Sequence, residues 1–146
     1  MAVVTNRPAT APRKARPSLA ARRFGYVVAA LVNAAMLYLV NRWDVLPFLT
    51  PDTEQVLPWV KASVVAGLVV NVLYLVRDPR WFRALGDMVT TAFSLAAMVV
   101  IWDVFPLDLT DGWELVARTL LVLGVVGTAI GFVVALVTLV RELRDR

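Results

Sequence analysis

A chain of 146 residues is long enough for one ordinary domain, but 60% of its residues are hydrophobic and only 18% are charged, too apolar for a surface that faces water. Cysteine and histidine are both absent, which excludes disulfides, thiolate nucleophiles, lipidated cysteine and histidine-based metal or acid–base chemistry together. The net charge of +4 comes mostly from arginine, and where it lies along the chain says more than its size.

Residues 1–23 carry Arg7, Arg13, Lys14, Arg16, Arg22 and Arg23, no acid, and prolines at 8, 12 and 17. Too few apolar residues remain to pack a core, so the stretch reads as a disordered basic tail. A cleaved signal peptide is not expected. The apolar run Phe24–Val40 is longer than a usual h-region, and Asn41-Arg42-Trp43-Asp44 follows it in place of a small-residue cleavage site.

About 20 apolar residues cross a hydrocarbon core of roughly 30 Å. On that measure the chain is expected to be an all-α integral membrane protein with four transmembrane helices arranged as two tandem, parallel-repeat hairpins. The first hairpin, 24–76, has spans at 24–43 and 56–76, with Pro58 in the first turn of the second. A cytoplasmic turn follows at 77–84. The second hairpin, 85–140, has spans at 85–102 and 113–140, and residues 141–146 form a cytoplasmic tail. A soluble bundle would need a polar stripe on each helix. Val64–Val76, interrupted only by Asn71, and Leu120–Val140, interrupted only by Thr128 and Thr138, have none.

Basic residues set the expected orientation. The tail, the middle turn and the C-terminus hold 6, 3 and 3 of them, against Arg42, Lys61 and Arg118 alone near the other two loops. Both termini are therefore expected in the cytoplasm, with the chain in the plasma membrane. Abundant arginine, alanine, valine and leucine also fit a GC-rich bacterial genome. The opposite side is acidic, with Asp44, Asp52, Glu54, Asp103, Asp108, Asp111 and Glu114.

One phrase occurs twice, 59 residues apart: Trp43-Asp44-Val45-Leu46-Pro47 and Trp102-Asp103-Val104-Phe105-Pro106. At the other end Val76-Arg77 matches Val140-Arg141 at a spacing of 64, so the second hairpin reads as the first with about one helical turn added to its return span. A parallel repeat differs from the inverted repeats of many transporters. At the same spacing Ser63, Gly67 and Asn71 correspond to Gly127, Gly131 and Ala135, two small-residue stripes that let helices approach closely; Gly127 and Gly131 form a GxxxG pair. Spans two and four are expected to cross along these stripes, or one stripe serves a homodimer.

Three groups of side chains are candidates for function. Trp43, Asp44, Pro47, Trp102, Asp103 and Pro106 read as interfacial turns, in which the aspartates accept backbone N–H groups and the prolines stop the helix. The alternative is that the seven acids gather a divalent cation or a basic partner. Asp87, Thr90, Thr91 and Ser94 share one face of span three, and with Asn33 they form a candidate polar pathway. The simpler reading pairs Asp87 with Arg83, gives the hydroxyls to backbone, and joins Asn33 to Asn71. Glu114 and Arg118 form an i, i+4 pair.

Several small-membrane-protein chemistries fail on residues. Span one lacks the embedded glutamate of small multidrug exporters, there is no Cys-x-x-Cys of the quinone-linked thiol oxidoreductases, and no histidines could hold haem. The expected function is thus non-enzymatic and association-based, an accessory or structural role through self-association or a larger membrane complex. The alternative is a minimal oligomeric transporter or channel, and an enzyme acting at the acid-rich face comes third. No cofactor or metal is expected, and the expected partners are membrane lipids and protein, with no nucleic acid.

Overall fold

A computed structural model describes residues 17–144, and its regular structure is helical. Helix α1 is Leu19–Val40, α2 is Thr53–Val76, α3 is Arg80–Val104 and α4 is Asp111–Arg144, with one 3-10 turn at Trp43–Val45 after α1. The helices are 22, 24, 25 and 34 residues long. Even the shortest reaches about 33 Å at 1.5 Å per residue, so all four are long and apolar enough to span a membrane.

The helix ends differ from the expected ones for identifiable reasons. Ser18 caps α1 by accepting the Ala21 N–H at 3.2 Å, so Arg22 and Arg23 are helical and not part of a disordered tail; arginine is a good helix former once a cap is in place. The rest of that expected tail, residues 1–16, lies outside the described residues, as do 145 and 146 at the C-terminus. Helix α2 starts three residues early, which moves Pro58 into its second turn and leaves the Glu54 carbonyl without a helical donor. Glu54 is exposed, where water can take that role. The turn expected over 77–84 shrinks to Arg77–Pro79, because α3 begins directly after Pro79. A proline restricts the residue before it, not the one after. At the far end of α3, Phe105 turns left-handed at φ 43° while its N–H bonds the Ile101 carbonyl at 2.8 Å, and Pro106 prevents continuation.

The helices pack in chain order, α1 on α2, α2 on α3 and α3 on α4. They form an open row, since extensive contact between first and last, which would close a bundle, is absent among the described residues. The expected crossing of spans two and four does not occur; α3 stands between them. A three-residue turn leaves α2 and α3 no choice but to be neighbours. Burial is correspondingly sparse. Val56, Val64, Tyr74, Ala84, Ala97, Ala135 and Leu139 are the buried hydrophobic residues, and α1 contributes none. Its half-buried stripe, Arg22, Tyr26, Ala29, Asn33, Leu37 and Val40, follows the 3.6-residue period and faces α2.

Two glycines set the closest approaches. A Cβ at Gly67 would stand 2.7 Å from Asn33 Oδ1, and one at Gly86 would meet Tyr74 Oη and, at 2.7 Å, Val70 Cγ1. These are α2–α1 and α3–α2 contacts.

Candidate functional site

The end of the row formed by the start of α1 and the end of α4 is held by a charge network centred on Asp78, in the turn between α2 and α3. Its carboxylate pairs with Arg22 of α1 at 2.8 Å and Arg83 of α3 at 3.2 Å, and accepts the Tyr26 hydroxyl at 3.0 Å. Position favours it, since a negative charge just before α3 sits at the positive end of the helix dipole. Tyr26 Oη in turn accepts from Arg83 Nη1 at 3.2 Å. Tyr74 packs its ring against Tyr26 and Phe82, with centroids 5.2 and 6.0 Å away. Its hydroxyl lies 2.7 Å from the Arg83 carbonyl and 2.9 Å from Asp87 Oδ1, so one proton serves two acceptors. The expected Asp87–Arg83 ion pair is therefore replaced: Arg83 turns to Asp78, and Asp87 is held by Tyr74. Residue types and spacing hinted at neither Asp78 nor Tyr74, because each meets Tyr26 from some 50 residues away in sequence.

Beside this network, α3 and α4 enclose a groove of about 500 Å³ whose polar lining is Arg80, Arg83, Asp87, Thr91, Thr138 and Glu142. Arg80 and Glu142 face each other at 3.7 Å. The hydroxyls of Thr91 and Thr138 donate back to their own helices, to the Asp87 carbonyl at 2.6 Å and the Val134 carbonyl at 2.8 Å, as Thr90 does to Gly86. Asp87 and Thr91 of the candidate pathway thus share a wall, but Ser94 is not on it and Asn33 lies on α1. The two asparagines do not join each other. Asn33 donates to Ala29 at 2.8 Å and Asn71 to Gly67 at 2.7 Å, each along its own helix.

The packing stripes divide likewise. Gly67 lies under Asn33, Ala135 is buried, Ser63 donates to its own Val60 carbonyl, and Gly131 faces Thr91 across α3–α4. Gly127, by contrast, has no neighbour within 4 Å of where a Cβ would stand. Gly86, absent from the sequence-based set, makes the tightest approach; the signal was present, since Gly86, Thr90 and Ser94 recur every four residues like the other stripes.

At the other end of the row the two loops are stitched together by main chain. Leu49 and Leu107 form an antiparallel bridge, the Thr50 N–H donates to Pro106 at 3.1 Å and the Asp108 N–H to Phe48 at 2.9 Å. The repeated phrase adopts two conformations here: Trp43–Val45 lies outside α1 as a 3-10 turn, whereas Trp102, Asp103 and Val104 are the last residues of α3. Asp44 and Asp103 are exposed and cap neither turn. Pro106 is buried while Pro47 is exposed. Arg118 pairs with Glu114 at 2.8 Å, as expected, and lies over the rings of Phe105 and Trp102 at 4.1 and 5.5 Å. Among the described residues no three acids come close enough to hold a metal ion.

Beneath the stitched loops is a half-open pocket of about 350 Å³ walled by α1, α2 and the end of α3. Its exposed wall is wholly apolar; Thr53 lines it at 6% exposure, but the Thr53 hydroxyl is buried behind that surface and has no hydrogen-bond partner. A buried group left unsatisfied costs about 1–3 kcal/mol.

Compared with known proteins, the chain matches no family model, no curated protein and no solved structure.

Proposed function

We propose that the chain is a four-span protein of the plasma membrane, both termini cytoplasmic, that works by association and not by catalysis, as one element of a homo-oligomer or a larger membrane complex. In this reading the charge network lies at the cytoplasmic surface, where the positive-inside bias puts it. The stitched loops lie at the opposite surface, and the two hairpins stand side by side in the row. The observation that carries the reading is the open row itself. Four helices that bury so few side chains expose two broad apolar faces, which lipid can cover but which also suit another helix.

Within those faces, α4 offers the place of closest approach. Leu123, Val126, Ile130, Val133 and Val137 are 42–62% exposed there, and Gly127 has open space in front of it. In bilayers, Gly127→Leu is expected to disperse the assembly while leaving the monomer folded, because position 127 is exposed and nothing lies within 4 Å of where its Cβ would stand. An assembly that survives Gly127→Leu would remove the basis for this surface.

The groove between α3 and α4 favours a second reading, a minimal oligomeric transporter, because it brings Asp87 and Thr91 together beside two arginines. Farther along the same helix pair the cavities are lined almost wholly by apolar residues such as Met98, Ile101, Leu120 and Leu121, so a polar route would need a partner chain. Asp87→Asn should then abolish flux into liposomes; flux that persists in this variant contradicts transport through the groove.

A further inference from the structure

Asp87 is an acid within an apolar helix that has no cation of its own. It is the eighth residue of α3, about 10 Å along the helix from Arg80, and it is exposed in the groove between α3 and α4. Tyr74 donates to it, but it forms no ion pair among the described residues. Both arginines of the lining are committed elsewhere, Arg83 to Asp78 at 3.2 Å and Arg80 toward Glu142 at 3.7 Å. The hydroxyls of Thr91 and Thr138 spend their protons on their own helices, so beside the carboxylate they offer oxygens as acceptors. An acid at such depth is costly unless a cation meets it. A wall of acceptors suits a guanidinium, which carries donors only.

The chain holds such a guanidinium, unpaired, at a matching depth. Arg23 is exposed and makes no hydrogen bond or ion pair among the described residues. Tyr26, three residues on, packs on Tyr74 with ring centroids 5.2 Å apart, and Tyr74 holds Asp87 at 2.9 Å. Arg23 therefore lies within about one helical turn of the level of Asp87. Arg141 and Arg144 flank Glu142 and stand near the level of Arg80, about 10 Å short of it.

We infer that the α3–α4 groove receives helix α1 of a second copy, whose Arg23 pairs with Asp87. The inference rests on the association reading above and names the second copy as the partner. Copies in one bilayer share an orientation, so the start of α1 in one copy meets the groove of the next at the same depth. Val27 and Leu31, 41% and 64% exposed on the face that carries Arg23, then lie against Val134, which is 58% exposed on the groove wall. Each copy offers one α1 and one groove, so the contact repeats about an axis along the membrane normal.

The test uses the full chain in phosphatidylcholine liposomes, with donor and acceptor dyes on an added C-terminal cysteine and energy transfer followed as the protein is diluted in lipid. Saturable association is expected. Arg23→Gln and Asp87→Asn should each weaken it about tenfold, and the two together no further than either alone, as a direct pair requires. Arg23 touches nothing in its own chain, so Arg23→Gln leaves the fold intact. Chains carrying Val27→Cys, without dyes, should form disulfides with chains carrying Val134→Cys. An Arg23→Gln chain that associates as tightly as the wild type overturns the contact, and the association reading survives that result if Gly127→Leu still disperses the assembly. Energy transfer that never exceeds random crowding overturns the second copy as the occupant, leaving the groove to a basic helix of another protein.

Discussion

Replacing Gly86 with alanine tests the packing of α2 on α3 at its tightest point. The added methyl would meet Tyr74 Oη and stand 2.7 Å from Val70 Cγ1 and 2.9 Å from Tyr74 Cζ. Tyr74 cannot swing away cheaply: it is 4% exposed, its ring is flanked by Tyr26 and Phe82, and its hydroxyl is bonded to the Arg83 carbonyl and Asp87. Overpacking of this kind costs about 1–3 kcal/mol, and displacing the hydroxyl adds about 1 kcal/mol for a lost hydrogen bond. Against this, alanine gains about 0.5–1 kcal/mol over glycine in a helix. The net expectation is a loss of about 1–3 kcal/mol, read by far-UV circular dichroism as the protein is unfolded with SDS from a mild detergent. Gly127→Ala supplies the control, since its methyl meets nothing and only the helical gain of about 0.5–1 kcal/mol remains. Adding Tyr74→Phe should recover part of the Gly86→Ala loss, a coupling that a double-mutant cycle measures. If Gly86→Ala were as stable as Gly127→Ala, the α2–α3 interface described above would be wrong.

The charge network gives a second expectation. Asp78→Asn removes two ion pairs and should destabilise by about 1–2 kcal/mol in the same assay, below the value for a fully buried pair because Arg22 and Arg83 are 28% and 35% exposed; a change within 0.5 kcal/mol would mean that water already screens the network. The absence of cysteine makes topology simple to read. Single cysteines at Ser18 and Glu142 should react with an impermeant thiol reagent from the cytoplasmic side, and those at Asp52 and Asp108 from the other. All four reacting from one side would refute the proposed orientation. Arg118→Ala should expose Trp102 and Phe105 to polar surroundings, seen as a red-shifted tryptophan emission, whereas an unshifted spectrum would show that the stacked guanidinium does not shield the rings.

Four apolar helices were legible because long runs such as Val64–Val76 leave no polar face for water. Helix ends were less so, since a charged stretch looks the same in a loop and in a capped helix: Arg22, Arg23 and Arg80 to Ala84 are helical because Ser18 and Pro79 start the helices and Asp78 supplies a counter-charge. The repeated phrase is real as sequence yet has two conformations. Trp102 and Phe105 lie under Arg118 from α4, while Trp43 turns onto the wall of the apolar pocket, so different neighbours draw the same residues to different ends. Neighbour choice was the main miss. Small residues at matching positions indicate that helices can approach, but the turn at Arg77–Pro79 decides which helices do, and it places α3 between the two stripes. The Asp78 network and the pocket beneath the loops join α1, α2 and α3 across long sequence separations, and no local spacing records such contacts.

The most direct test of association is native mass spectrometry of the protein extracted gently from its own membrane, with lipids and partners retained. A defined oligomer, or a complex of fixed stoichiometry with another membrane protein, is the expected result, and Gly127→Leu should reduce it to the single chain. A lone chain carrying only lipid, under conditions that keep other membrane complexes intact, would contradict the proposal that the open row exists to be covered by a partner.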